Sequence, residues 1–357
     1  MKGLILAGGS GTRLRPFTHT GPKQLIPIAN KPNILYCLED LRDAGIVDIG
    51  VILGDNQPEK VRELLRDGRD FGVRITYVVQ GPPRGIAHAI GCAESFLRGD
   101  AFCVYLGDNL LKGGIAAIVR EFKGSRAEAG IALCRVPNPE MFGVAELNAA
   151  GHVVGLVEKP KEPKSDLALV GVYLFSEHIF ESVKRIKPSF RDELEITDAI
   201  QDLIDRHLEV RPHIVDGWWK DTGKLEDMLE ANRLILDTLE PRIEGEVDAE
   251  SRIEGKVVIE AGAVVERSVI RGPVIIGVRA RIVHAYVGPF TSIMNDVEIR
   301  NSEIEHSIVL EGSSVCDLTS RVVDSLMGRN VRIHRVPIKP SAYRFMVGDN
   351  SEVGIPW

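Results

Sequence analysis

The hydrophobic positions in the first two thirds of the chain form short apolar runs separated by amphipathic stretches. The runs predict buried strands at 4–7, 47–53, 73–79, 101–106 and 169–173. Between them, helical spacing of apolar residues predicts helices at 32–45, 58–65, 86–97 and 224–239. This alternation predicts an α/β domain with a Rossmann-like mixed, mostly parallel sheet. Its ligands should lie at the carboxyl ends of the strands.

A different pattern begins near residue 241, where apolar residues recur at intervals of six. The series contains Val258, Val264, Ile270, Ile276 and Ile282, and it continues after one slip with Val287, Ile293 and Ile299. A period of six matches neither a simple strand nor a helix and predicts a hexapeptide parallel β-helix. We therefore predict a domain at 1–240, a β-helix at 241–336 and a tail at 337–357. The tail should pack on the β-helix or on another subunit.

Composition narrows the class of protein. The length of 357 residues favours two domains, and a net charge of −7 without a basic block argues against a nucleic-acid partner. The five cysteines are odd in number and lack a Cys-x-x-Cys pair, so we expect reduced thiols in a cytoplasmic protein. No signal peptide and no apolar run of membrane-spanning length is evident, so we expect no membrane partner.

Candidate chemistry begins directly after the first strand, in a loop containing Gly8, Gly9 and Gly11. Backbone N–H groups of such a loop can hold phosphate oxygens, and Arg13 and Lys23 add two cations. A P-loop is excluded because no Gly-Lys-Ser/Thr follows. The dinucleotide fingerprint is incomplete, since its third glycine is replaced by leucine and the expected acidic residue is missing.

The stretch Gly-Gly-x-Gly-Thr-Arg-Leu, followed by Pro22-Lys23, resembles the signature of the sugar-1-phosphate nucleotidyltransferases. Within that family it is most similar to the long thymidylyltransferases that carry a C-terminal left-handed β-helix. The resemblance implies Mg²⁺-dependent transfer of dTMP from dTTP to glucose 1-phosphate, with dTDP-glucose and pyrophosphate as products. The plain alternative is a glycine-rich turn with two surface cations.

The resemblance also assigns roles to individual residues. It implies catalytic roles for Arg13, Lys23 and Lys159. It implies nucleotide contacts for Leu6, Gly8, Gly9, Gly11, Thr12, Gln80 and Gly85. It implies that Asp108 and Asp221 hold Mg²⁺, a cation that prefers oxygen ligands.

The implied sugar-phosphate site follows a predicted hairpin at 144–157. Its residues are Gly143, Glu158, Lys159, Val170, Tyr173 and Glu193. Three positions depart from the family pattern. Phe142 stands where a tyrosine is usual, Val170 stands where the shorter enzymes have threonine, and Asp192 replaces a glycine. Two hydroxyl groups that could contact the sugar are therefore absent.

Three alternatives remain open at this point. The nucleotide or the sugar could differ, because Gln80 meets the same pairing edge on thymine and uracil. The β-helix could be an acyltransferase that uses one of its histidines, His284, His306 or His334. Finally, the chain could be a non-enzymatic platform with a degenerate nucleotide sensor. In each case the β-helix favours self-association into a homo-oligomer.

Overall fold

The structure is a computed structural model that describes residues 1–9 and 11–335. The predicted tail at 337–357, and the last residue of the predicted β-helix range, lie outside these residues. The N-terminal part contains a nine-stranded sheet. Its strands are β1 Lys2–Ala7, β4 Asp48–Leu53, β5 Arg74–Val79, β6 Phe102–Leu106, β8 Ala129–Arg135, β9 Gly143–Leu147, β10 Val153–Glu158, β11 Leu167–Phe175 and β12 Val210–Ile214. Seven of them follow the order β10-β9-β11-β6-β1-β4-β5, while β8 pairs with β11 and β12 pairs with β8. Two small ribbons pair β2 Pro27–Ile28 with β3 Lys31–Pro32, and β7 Asn109–Leu111 with β13 Trp219–Asp221.

Helices cover both faces of the sheet, because successive side chains of a strand point to opposite sides. The helices are α1 Asn33–Asp43, α2 Pro58–Leu65, α3 Ile86–Cys92, α4 Glu94–Leu97, α5 Ala116–Lys123, α6 Ile179–Arg185, α7 Ile196–Asp205 and α8 Leu225–Leu236. The helix predicted at 86–97 is two helices, α3 and α4, which meet at Ala93. Leu4 of β1 packs with α3, α4, α6 and α7, whereas Ile5 packs with α1, α2 and α5. Among the described residues, no helix combines the length and apolarity that a bilayer crossing requires.

The sheet is parallel on one side and antiparallel on the other. Strand β1 is parallel to β4 and β6, and β4 is parallel to β5. Strand β11 is antiparallel to β6, β8 and β9. Because β1, β5 and β6 run in the same direction, their carboxyl ends share one edge. The glycine loop, Gln80 and Asp108 all follow these ends, as the strand pattern predicted.

The C-terminal part is a parallel β-helix with three sheets, as predicted. The first sheet contains β14 Arg242–Ile243, β17 Val257–Ile259, β20 Val274–Ile276, β23 Thr291–Ile293, β26 Ile308–Val309 and β28 Leu326–Met327. The second contains β15 Glu246–Val247, β18 Val264–Glu266, β21 Arg281–Val283, β24 Glu298–Arg300, β27 Ser314–Cys316 and β29 Arg332–His334. The third contains β16 Arg252–Glu254, β19 Val269–Arg271, β22 Tyr286–Val287 and β25 Glu303–Ile304.

The repeat of the β-helix differs in detail from the predicted interval of six. Successive coils pair Val265 with Ile282 and Ile270 with Val287, residues that are 17 apart. In these coils one side contributes five residues. Later coils differ again, because the paired residues Ile299 and Val315 are 16 apart and the paired residues Val315 and Ile333 are 18 apart. Val258 and Val264 of the predicted series therefore each stand one residue before a position that faces inward. The fully buried inward residues include Ile259, Val265, Ile270, Ile276, Ile282, Val287, Ile293 and Ile299.

The two parts meet along α8, where Asn232 is fully buried. Its Oδ1 accepts hydrogen bonds from the backbone N–H of Ala29, at 2.9 Å, and from the hydroxyl of Ser292. Its Nδ2 donates to the carbonyl oxygen of Phe290, at 3.1 Å. Because Ala29 belongs to the turn between β2 and β3, one amide connects that turn to the first sheet of the β-helix.

Candidate active site

A cavity of about 620 Å³ lies at the edge of the sheet where β1 and β6 end. It is enclosed by the segment after β10, the segment before α7, and the ribbon of β7 and β13. Seven predicted site residues line it: Arg13, Gly143, Glu158, Lys159, Tyr173, Glu193 and Asp221. The fold therefore brings together residues from six separate stretches of the chain.

The ribbon of β7 and β13 brings the two predicted metal ligands together. Its register pairs Asp221 with Asn109, the residue after Asp108. The next residue, Thr222, donates both its backbone N–H and its hydroxyl to the carbonyl oxygen of Asp108, at 3.0 and 2.9 Å. The buried amide of Asn33 donates to that hydroxyl at 2.6 Å. These contacts hold Asp108 and Asp221 side by side.

Charge in this pair is only partly compensated. Burial raises the pKa of Asp221 to about 6, and the charge of Asp108 adds to the rise. Burial also opposes ionisation of Asp108, but its ion pair with Lys23 lowers the pKa of that carboxyl below its usual value. The pKa of Lys23 is raised in turn by Asp108 and Asp221, against the opposing effect of burial.

The residues present fit a hard divalent cation. The Oδ1 atom of Asp221 is buried without a hydrogen-bond partner, an arrangement that costs free energy unless a ligand or water satisfies it. Two carboxylates are a suitable partial ligand set for Mg²⁺, which commonly takes its other ligands from water and substrate phosphates. Among residues 1–9 and 11–335, no group of three or more His, Cys, Asp or Glu side chains could hold a metal alone.

The opposite end of the cavity is acidic and is bridged by Arg191. Its guanidinium donates to Glu158 at 3.1 Å and to Glu193 at 2.6 Å. Burial, followed by the charge of Glu195, raises the pKa of Glu158. The sequence pattern gave Arg191 no role. In the structure, Arg191 orients Glu158 and Glu193, the two glutamates of the predicted sugar-phosphate site.

Lys159 begins the segment that closes this end of the cavity. Its backbone is left-handed, with φ 43°, and its N–H donates to the carbonyl oxygen of Phe142 at 3.0 Å. A left-handed conformation is unfavourable for a lysine, so the surrounding structure must hold it. The ring of Phe142 packs edge-on against Trp219, with ring centroids 5.1 Å apart. The aromatic residue thus keeps a packing role although the usual tyrosine hydroxyl is missing.

Asn109 is a second residue that sequence reasoning passed over. Its Oδ1 accepts from the indole N–H of Trp219, at 2.6 Å, and from the backbone N–H of Gly171, at 3.3 Å. Its Nδ2 donates to Asp108 at 3.1 Å. This buried amide therefore fixes the Asp108 carboxylate relative to the cavity wall.

The predicted nucleotide residues lie beside the large cavity. Gly8 lines a neighbouring cavity of about 350 Å³, together with Arg15, Thr18, His19, Asp55, Asn56 and Pro83. A Cβ on Gly8 would lie 2.6 Å from the Oε1 of Gln80, and a Cβ on Gly9 would contact Lys23 at 3.4 Å. Gly11 has φ +62°, and its carbonyl accepts the hydroxyl of Thr18 at 2.8 Å. The glycines therefore allow Gln80, Lys23 and the loop to approach one another closely.

Gly85 also stands where only a glycine fits. A Cβ there would lie 2.4 Å from the carbonyl oxygen of Leu194, so the close approach is made by protein backbone. Thr12 begins the short 3₁₀ turn that contains Arg13. Leu6 is half-buried and packs against the core.

One predicted side chain does not face the site. Val170 is fully buried in the core cluster of α1, α2 and α5. Its neighbours Leu169 and Gly171 line the cavity instead, because alternate residues of β11 face opposite sides. The prediction that Val170 contacts the sugar phosphate is therefore corrected.

Comparison with known proteins places these features in a family. The family model described as "Nucleotidyl transferase" matches residues 2–238. The chain belongs to the nucleotidyl transferase family. Within this family it is 51% identical, over 99% of both chains, to a glucose-1-phosphate thymidylyltransferase of Streptomyces griseus. It is 47% identical, again over 99% of both, to the low-salt glycan biosynthesis nucleotidyltransferase Agl11 of Haloferax volcanii.

A solved structure gives the same result for the fold. It is described as a glucose-1-phosphate thymidylyltransferase from Bacillus anthracis in complex with a sucrose. The match has a TM-score of 0.63 and 39% identity, and it covers 68% of this nucleotidyl transferase chain and 98% of that chain.

Proposed function

We propose that this protein transfers dTMP from dTTP to glucose 1-phosphate, which forms dTDP-glucose and releases pyrophosphate. The observation that carries the proposal is the cavity that joins Arg13 and Asp221 to Lys159 and Glu158. Cationic and metal-ligating groups thus share one space with groups suited to a sugar phosphate. The full-length similarity to a thymidylyltransferase supports the same substrates.

The proposed reaction needs little covalent chemistry from the protein. A phosphate oxygen of glucose 1-phosphate attacks the α-phosphorus of dTTP, and the bond from that phosphorus to the bridging oxygen breaks. Because a phosphate dianion is already a nucleophile, no general base is required. The protein must hold the two anions in line and neutralise their charge.

Three cations divide that work. Arg13 lies beside Asp221 in the cavity and would neutralise the pyrophosphate as its charge develops. Lys23, between the glycine loop and Asp108, would hold the α-phosphate. Lys159 would hold the phosphate of the incoming sugar, with Glu158 and Glu193 accepting its hydroxyl groups.

Asp108 and Asp221 would hold Mg²⁺ when substrates are bound. The ion supplies positive charge that reduces repulsion between the two phosphates. The carboxylates are prepared for it by Thr222, Asn33 and Asn109, which fix their positions.

The first test is pyrophosphate release with glucose 1-phosphate and Mg²⁺, with dTTP, UTP, CTP, GTP and ATP assayed in parallel. We expect the highest kcat/KM with dTTP. A preference for another nucleotide would overturn the base assignment and keep the chemistry. If glucose 1-phosphate gives no release with any of these nucleotides, glucosamine 1-phosphate and galactosamine 1-phosphate are assayed next. No release with those sugars either would favour the sensor alternative.

We also propose that the protein is a cytoplasmic homo-oligomer that associates through its β-helix. The five cysteines are all unbridged, as expected for reduced thiols. Light scattering of the full chain should give a mass that is a multiple of 39.3 kDa. A monomeric mass at micromolar concentration would contradict this proposal.

A further inference from the structure

The amide of Gln80 is held by two neighbours that the proposed reaction does not use. Its Nε2 lies 3.2 Å from the carbonyl oxygen of Gly85 and 3.3 Å from the Nδ1 of His88. Its Oε1 lies on the other side, over Gly8. The amide therefore has one end in the protein and one end toward the glycine loop.

The carbonyl of Gly85 determines which end is the nitrogen. A backbone carbonyl can only accept hydrogen bonds, so the NH₂ group must face it. The second hydrogen of that group is directed at His88, whose Nδ1 then accepts. The proton of the neutral ring lies on Nε2, which faces the sulfur of Cys92 at 3.7 Å. Burial, followed by the charge of Arg84, lowers the pKa of His88 and supports this neutral form.

We propose that His88 is a positioning residue that holds Gln80 as a pure hydrogen-bond acceptor toward the nucleotide base. With both hydrogens of Gln80 occupied, only Oε1 remains for a ligand. This inference rests on the proposed function, in which the base is thymine.

The pairing edge of thymine carries one donor, N3–H, between two carbonyl acceptors. An amide that can only accept must therefore pair with N3–H. Cytosine presents a lone pair at N3, which an acceptor repels. A freely turning glutamine could instead donate to that lone pair, so His88 is what makes Gln80 selective.

The test replaces His88 with leucine, which removes the Nδ1 acceptor at similar volume. We expect KM for dTTP to rise about fivefold, as for the loss of one neutral hydrogen bond, with little change in kcat. The ratio of kcat/KM for dTTP to that for dCTP should fall by a similar factor. The thermal midpoint of unfolding is measured for each variant to confirm folding.

Two further variants separate positioning from general damage. His88→Asn places an amide oxygen where Nδ1 stood, so it should restore most of the dTTP preference. His152→Leu, at an exposed turn, is the matched control and should leave both constants unchanged. In a Gln80→Ala background, His88→Leu should have no additional effect on KM for dTTP.

The outcomes distinguish this inference from the proposed function. If the wild-type protein uses dTTP but His88→Leu retains both its KM and its base preference, the positioning role is wrong. An equal effect of His88→Leu with and without Gln80 would also overturn it, since the histidine would then act by another route. If the wild-type protein releases no pyrophosphate from dTTP, the proposed function fails first and the inference fails with it.

Discussion

The N-terminal part, which holds the cavity, and the interior of the β-helix differ in the polarity of their buried groups. Four buried polar atoms without a hydrogen-bond partner are found in the described residues, on Gln24, Asn30, Asn33 and Asp221, and all four belong to the N-terminal part. The β-helix interior between 241 and 335 is instead lined by fully buried valine and isoleucine. One of these atoms, on Asp221, lies in the cavity where a cation is proposed to bind, whereas the interior of the β-helix is filled by apolar side chains.

Residues with a left-handed backbone occur in both regions, and the reason for that conformation differs between them. Lys159, with φ 43°, is beside the cavity, where the conformation supports a proposed binding role. In the β-helix, Arg279 and Asp296 adopt the same region at corresponding corners of successive coils, and their side chains form an ion pair at 2.6 Å. A positive φ thus accompanies a proposed binding residue in the first case and the geometry of the coils in the second.

The largest loss of catalytic rate is expected from a substitution of Arg13, which lines the cavity. We expect Arg13→Ala to lower kcat by about 10²–10³-fold, with a smaller change in KM, because its charge is needed as pyrophosphate leaves. The measurement is steady-state pyrophosphate release at saturating Mg²⁺. Arg211→Ala, on an exposed part of β12, is the control. An unchanged kcat would exclude the proposed role.

A substitution that leaves a cavity inside the β-helix should lower stability and leave catalysis nearly unchanged. Ile282 is fully buried there, so Ile282→Ala should lower the free energy of unfolding by about 2–5 kcal/mol. Denaturant titration measures this change, with the outward-facing neighbour Arg281→Ala as control. We expect kcat/KM of the folded variant at 25 °C to stay within about twofold. A large loss of activity at full folding would show that the two regions are not independent.

A substitution of Asp221 tests whether this carboxylate, whose Oδ1 has no hydrogen-bond partner, is a ligand of a cation. Asp221→Asn should raise the Mg²⁺ concentration for half-maximal activity about tenfold or more. The titration is made at saturating dTTP and glucose 1-phosphate, and Glu226→Gln on the adjacent α8 is the control. An unaltered magnesium titration would exclude Asp221 as a ligand.

Asn232 connects the two regions, so a substitution there tests whether one region depends on the other. Asn232→Ala should reduce stability by about 1–3 kcal/mol, since it leaves the buried partners Ala29 N–H and Ser292 hydroxyl without an acceptor. We also expect a loss of kcat of a few-fold, because the turn at Ala29 follows the segment that carries Lys23. Thr238→Ala is the surface control. If only stability falls, the β-helix supports the fold and not the catalytic segment.

Local pattern predicted those parts of the molecule that depend on neighbours in sequence. Apolar runs predicted β1, β4, β5, β6 and β11, whereas β8 and β12 were not predicted. The rule that ligands bind at strand ends drew attention to the glycine loop and Asp108. Asp221 required the family resemblance, since only the pairing of β7 with β13 brings it to Asp108. The inward register of the β-helix was missed by one residue at Val258, because a five-residue side cannot be told from a slip in a six-residue period.

Roles that depend on distant contacts were not predictable. Asn109 contacts Trp219, 110 residues later in the chain, and no spacing rule connects them. Arg191 stands among glutamates, and its bridge to Glu158 exists only after β10 and the segment before α7 meet. The close approach at Gly85 is made by the backbone of Leu194, a contact that no local pattern indicates.

The late position of β13 in the chain also affects when the proposed site can be completed during synthesis. Strand β13 follows every strand of the nine-stranded sheet along the chain. A nascent chain that ends before Trp219 contains Lys23 and Asp108 but lacks Asp221, the second carboxylate of the proposed magnesium site. On the proposed function, such an incomplete product of translation would carry the glycine loop without the complete magnesium site, and we expect it not to consume nucleotide.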